Sequence, residues 1–72
     1  MNPNLLRAAI ASKGLKQVDV IKAIGCTYSG WGRRMQGATE FTRSEINEIY
    51  HFLQLTKEEL TEIFFTAKVK VL

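Results

Sequence analysis

The chain has 72 residues, of which 46% are hydrophobic and 24% are charged, and its formal net charge is +3. A chain of this length makes one domain, and this composition is that of a folded globular protein rather than a disordered or collagen-like one. It contains no apolar run of about 18 residues and no secretory signal pattern, so the sequence predicts a cytoplasmic protein without a membrane partner. The single cysteine, Cys26, excludes an internal disulfide. Together with the single histidine, His51, it offers no metal site, no cofactor site and no catalytic pair, so no enzyme is expected.

The charges are distributed unevenly along the chain. Residues 1–43 contain seven Lys or Arg and two acidic residues, a balance of +5, whereas residues 44–72 contain three and five, a balance of −2. A basic half joined to an acidic half favours a polyanion as the partner of the first half. Because basic residues also serve solubility, the charge alone leaves both interpretations open.

Three helices are predicted in the first half of the chain, each followed by a glycine that favours a left-handed stop. They lie between Asn2 and Gly14, between Lys16 and Gly25, and between Thr27 and Gly37. Asn2 and Thr27 are typical N-caps, and Pro3 is a typical first helical residue. Lys16 has no side-chain oxygen and therefore leaves the second helix without a side-chain cap.

Two further helices have complete entry signals. Each begins with a capping box and a hydrophobic staple, which are Thr42–Glu45 with Phe41–Ile46, and Thr56–Glu59 with Leu55–Leu60. Apolar residues recur at helical spacing behind both signals. The sequence therefore predicts an all-α domain of five helices over residues 1–66, followed by a tail over residues 67–72. Alternation over Lys68–Leu72 predicts either a frayed end or a strand added to a partner.

Residues 16–37 have the spacing of a helix-turn-helix, with Gly25 where the chain must turn sharply. The residues predicted to form the core between its two helices are Val20, Ile24, Gly25, Cys26 and Trp31. The residues predicted to face a partner are Gln17, Thr27, Tyr28, Ser29, Gly32, Arg33 and Arg34. In a helix-turn-helix these positions reach the base edges and phosphates of a DNA major groove.

Residues 16–65 resemble the Cro/CI-type helix-turn-helix repressors. They are most similar to small regulators from phages of Gram-positive bacteria that act as antirepressors, modulating repression. The Phe41-Thr42 entry and the closing Leu60-x-x-Ile63-Phe64-Phe65 are the more specific parts of this resemblance. It implies a compact five-helix domain, a role in a lysis–lysogeny switch in the bacterial host cytosol, and a CI-type repressor as the partner.

Two functions remain open from the sequence. The first is an antirepressor whose helix-turn-helix surface binds the N-terminal DNA-binding domain of a CI-type repressor, with weaker binding to double-stranded DNA. The uncapped second helix, the two helix-disfavoured residues Gly30 and Gly32, and the Tyr, Trp and Arg content of the third helix favour it. The alternative is a Cro-like homodimer that reads operator DNA directly, which the basic first half and the helix-turn-helix spacing favour. The sequence favours the first hypothesis narrowly.

Overall fold

The structure, a computed structural model, describes residues 1–65, and over that range it consists of five α-helices with no β-strand. The helices are α1 (Pro3–Ser12), α2 (Gln17–Ile24), α3 (Tyr28–Gln36), α4 (Arg43–Phe52) and α5 (Lys57–Phe64). The predicted all-α class and the five-helix order are confirmed. The predicted domain boundary at residue 66 and the tail prediction for Lys68–Leu72 lie outside the described residues.

Four of the five helices begin at the predicted N-cap. The side-chain oxygens of Asn2, Thr27, Thr42 and Thr56 each accept a hydrogen bond from the backbone N–H three residues later, at 2.9–3.2 Å. Both predicted capping boxes are complete, since the carboxylates of Glu45 and Glu59 accept from the backbone N–H of their N-cap at 3.0 and 2.9 Å. The polar groups that a helix start leaves unpaired are therefore satisfied locally.

The start of α2 shows what the sequence prediction missed. The side chain of Lys16 makes no capping hydrogen bond, as expected. The carboxylate of Asp19, however, accepts a hydrogen bond from the backbone N–H of Lys16 at 2.8 Å. Half of a capping box thus holds this helix start, and the acidic group lies in the first turn, where the helix dipole favours it.

The predicted glycine stops are also present. Gly14, Gly25 and Gly37 all have positive φ angles, between 71° and 87°. After α4 the left-handed residue is not a glycine but Gln54, whose φ is 54°. The short connections between helices allow the apolar faces of all five to meet in one core.

The core is formed by side chains from every helix and from two connecting segments. Its buried members are Leu6, Ile10, Val20, Ile21, Trp31, Met35, Phe41, Ile49, Leu53, Leu55, Ile63 and Phe64. Phe41 makes edge-to-face contacts with Trp31 at 5.5 Å and with Phe64 at 5.7 Å between ring centroids. This aromatic row joins α3, the connection before α4, and α5, and such pairs add about 0.5–1.5 kcal/mol each beyond the area they bury.

A backbone hydrogen bond joins the first and last helices. The N–H of Asn2 donates to the carbonyl oxygen of Ile63 at 2.6 Å, while the side chain of Asn2 caps α1. Asn2 therefore holds the start of α1 against the end of α5. Within residues 1–65 no helix is both long enough and apolar enough to cross a membrane.

Candidate functional site

Helices α2 and α3 are joined by the three residues 25–27, and the turn between them is closely fixed. Gly25 has the left-handed conformation, and the backbone N–H of Cys26 donates to the carbonyl of Ile21 at 3.1 Å. Of the predicted inter-helix core, Val20 and Trp31 are buried, whereas Ile24 and Cys26 are half-buried and pack against the core. These four residues therefore meet at the junction, whereas Gly25, also predicted as a core residue, is exposed and contributes the turn rather than core packing.

A side-chain hydrogen bond ties the start of α2 to the middle of α3. The indole Nε1 of Trp31 donates to Oε1 of Gln17 at 2.7 Å. An indole N–H can only donate, so the amide oxygen of Gln17 must face it and the amide nitrogen must face away. Trp31 thus has its polar atom satisfied while its ring is buried, and the side chain of Gln17, a predicted contact residue, is held in one orientation.

The structure separates the two arginines that the sequence prediction treated alike. Arg34 forms a bidentate ion pair with Glu45 on α4, with Nε to Oε1 at 2.9 Å and Nη2 to Oε2 at 3.0 Å. Its Nη1 also donates to the carbonyl of Gly30, one turn earlier in α3, at 2.9 Å. The side chains of Arg34 and Glu45 are only 18% and 19% exposed. Arg34 is therefore engaged inside the protein, whereas Arg33 is exposed and makes no ion pair within residues 1–65.

The ion pair perturbs both of its groups. The hydrogen bond to Glu45 raises the pKa of Arg34 above its usual value. Burial by itself raises the pKa of Glu45, but the hydrogen bonds from Thr42 and Arg34, with the arginine charge, outweigh burial and lower it. Both groups are consequently more firmly charged in the folded protein than when free.

The outward face of α3 carries the remaining predicted contact residues. Thr27, Tyr28, Ser29 and Arg33 are exposed, and Gly32 is half-buried. Tyr28 is 64% exposed, the largest fraction among the exposed large hydrophobic residues of the described chain. The hydroxyl of Thr27 already accepts the capping hydrogen bond, so Tyr28, Ser29 and Arg33 are the side chains most available to a partner.

The two glycines inside α3 lie in different surroundings. A Cβ on Gly30 would lie 2.8 Å from Oγ1 of Thr27 and 3.0 Å from Nη1 of Arg34. A Cβ on Gly32 would meet no atom within 4 Å. A side chain at residue 30 would therefore need the Thr27 hydroxyl or the Arg34 guanidinium to shift, whereas nothing in the described part of the chain requires a glycine at position 32.

No protein-family model matches this chain, and neither a curated protein nor a solved structure does.

Proposed function

We propose that this chain is a helix-turn-helix regulator of the Cro/CI kind that opposes a CI-type phage repressor. It binds the N-terminal DNA-binding domain of that repressor through the outward face of α2 and α3. The observation that carries this proposal is the internal engagement of Arg34 by Glu45. It leaves an α3 surface that is formed chiefly by Tyr28, Ser29, Gly32 and Arg33.

This surface has few of the positive charges that bind DNA phosphates. Affinity for DNA comes largely from Lys and Arg side chains that neutralise phosphates, and each such contact adds to the salt dependence of binding. With Arg34 paired to Glu45, α3 offers Arg33 as its free cation within the described residues. A lower positive charge also reduces repulsion from a DNA-binding domain, which is itself basic where it meets DNA.

The composition of the surface suits a protein partner. Tyr and Arg are among the residue types that dominate binding energy at protein interfaces. Tyr28 is largely exposed, and Arg33, five residues further along α3, is exposed as well. Gly32 lies between them and leaves open space where a side chain would be, so a partner can approach the helix backbone there.

A second candidate is a Cro-like homodimer that reads operator DNA directly. The observations that favour it are the balance of +5 over residues 1–43 and the exposure of Lys16 at the start of α2 and of Arg43 at the start of α4. Exposed cations such as these can contact DNA phosphates. We therefore retain DNA binding as a weaker, secondary activity.

The test titrates the purified protein against a CI-type repressor's DNA-binding domain and, separately, against operator DNA at low and near-physiological salt. A complex with the domain in the absence of DNA supports the proposal. Tyr28→Ala should weaken that complex, whereas Phe52→Ala, which removes an exposed aromatic ring from α4, should leave it unchanged. Tight and salt-sensitive binding to operator DNA alone, with no complex with the domain, would instead establish the Cro-like function.

Gly32→Ala gives an independent check of the same surface. The added methyl group fills open space in the free protein and firms the helix. If a partner backbone packs at this position, the variant should be more stable but should bind the repressor domain less tightly. Unchanged binding to the domain together with tighter binding to operator DNA would contradict the proposal.

A further inference from the structure

We infer that Arg34 and Glu45 are positioning residues, which hold the outward face of α3 at a fixed orientation for its partner. The inference rests on the proposed function for its partner, but its first consequence is measurable in the free protein. Neither residue needs to touch the partner for this role, since both side chains are largely covered within the fold.

The ion pair is the centre of a continuous hydrogen-bond path from the start of α3 to the start of α4. The N–H of Gly30 donates to Oγ1 of Thr27, and the carbonyl of Gly30 accepts from Nη1 of Arg34. Arg34 then donates twice to Glu45, which accepts in turn from the N–H of Thr42. The N-caps of the two helices are thus connected through one arginine.

The geometry of this path restricts how α3 can turn. A guanidinium and a carboxylate that meet in a bidentate arrangement fix their mutual plane as well as their distance. One turn before Arg34, the Trp31–Gln17 hydrogen bond joins α3 to a second helix, α2. Two attachments to two different helices resist rotation of α3 about its own axis, and rotation is the motion that would redirect Tyr28 and Arg33.

The same path explains a glycine that is unfavourable in a helix. The Arg34 guanidinium lies over the first turn of α3, where its Nη1 would be 3.0 Å from a Cβ on residue 30. Glycine at this position therefore lets the arginine reach a backbone carbonyl of its own helix while it pairs with α4. Its presence needs no partner to account for it.

The experiment compares two variants of the pair with matched controls. Arg34→Met removes the guanidinium, and Arg33→Met removes the same group from the adjacent exposed residue. Glu45→Gln removes the charge but keeps the capping box, because glutamine also serves at that position. Glu59→Gln makes the same change in the capping box of α5, where no ion pair is seen within residues 1–65.

Amide hydrogen exchange in the free protein is the first measurement. Arg34→Met and Glu45→Gln should speed exchange at the Gly30 amide, which belongs to the path, more than at Ile10 in the core of α1. Arg33→Met and Glu59→Gln should leave the Gly30 amide unchanged relative to Ile10. Equal acceleration at both amides would mean that the pair only stabilises the whole domain, and would overturn the inference.

Binding to the repressor domain, measured where every variant is fully folded, is the second measurement. Each variant of the pair should weaken the complex roughly fivefold, and the double variant should be no weaker than either single variant, because both remove one interaction. Arg34→Lys should fail to restore binding, since it keeps the charge but loses the planar fork. Full restoration by lysine, or weaker binding without any change at the Gly30 amide, would show that Arg34 acts as a charge or a direct contact, and the inference would be wrong.

The two experiments distinguish a wrong partner from a wrong role of the ion pair. If the wild-type protein forms no complex with a repressor domain, the proposed function is wrong. The exchange at Gly30 then still decides whether the pair positions α3.

Discussion

Alanine at the two glycines of α3 should change stability in opposite directions. At Gly32 the new methyl group meets no atom within 4 Å. Gly32→Ala therefore gains the helix propensity of alanine over glycine, about 0.5–1 kcal/mol in the free energy of unfolding. At Gly30 the same gain is opposed by contacts of 2.8 Å with Oγ1 of Thr27 and 3.0 Å with Nη1 of Arg34.

The cost at Gly30 follows from the hydrogen bonds that must shift. Displacement of the Thr27 hydroxyl loses a helix cap, about 1 kcal/mol, and displacement of Arg34 loses its hydrogen bond to the Gly30 carbonyl, about another 1 kcal/mol. After the gain in helix propensity, Gly30→Ala should be about 1 kcal/mol less stable than the wild type. The two variants should then differ by roughly 2 kcal/mol.

Thermal unfolding followed by far-UV circular dichroism and by the fluorescence of Trp31 measures this difference. In a domain of this size, 1 kcal/mol moves Tm by about 4–8 °C, so Gly32→Ala should melt at least about 8 °C above Gly30→Ala. Each variant is the control for the other, because both make the same chemical change in the same helix. Equal Tm values, or a more stable Gly30→Ala, would refute the argument that the close contacts at residue 30 select glycine.

Two further predictions concern the side-chain interactions of α3. Trp31→Phe keeps a buried aromatic ring but removes the indole N–H that donates to Gln17, so urea denaturation should show a loss of about 1–2 kcal/mol in the free energy of unfolding. Gln17→Ala in the Trp31→Phe background should lower that free energy little further, because the hydrogen bond is already absent. Because the pKa of Glu45 is lower in the folded protein than in the unfolded chain, its contribution to stability is present above about pH 5 and is lost as the pH falls through the folded-state value. Urea titrations between about pH 3 and pH 7 should therefore show a steeper loss of stability for the wild type than for Glu45→Gln, and parallel curves would contradict the ion pair with Arg34.

The helix plan could be predicted from sequence because its signals are local. The side chain of an N-cap accepts a hydrogen bond from an amide three residues later, as Thr42 does from Glu45. Both partners therefore fall within one short sequence pattern. The hydrogen bond at the start of α2 has the same spacing, but the sequence pattern does not show it, because Lys16 at the cap position is not a capping residue type. Only the backbone N–H of Lys16 takes part, and backbone groups are the same in every residue.

The side-chain interactions of the candidate site could not be predicted in this way. Arg34 and Glu45 are eleven residues apart, and Gln17 and Trp31 are fourteen apart. Each of these residues also has an ordinary local role, such as solvation or capping, that the sequence pattern equally supports. Gly30 has the same sequence signal as Gly32, and only the packing of the folded chain separates a crowded glycine from an unconstrained one. The contact residues were therefore predicted as one group, which the structure divides into held and available side chains.

The hydrogen bond from Asn2 to Ile63 connects the start of α1 to the end of α5. The Asn2 amide is protected from solvent exchange while this hydrogen bond holds, and it exchanges when the start of α1 and the end of α5 separate. Because residues 2 and 63 are far apart in sequence, forming this contact costs loop-closure entropy that a local hydrogen bond does not. An isotope label at Asn2 thus reports the docking of α1 against α5, and an extension fused directly before it would disturb the end of α5 as well as the start of α1.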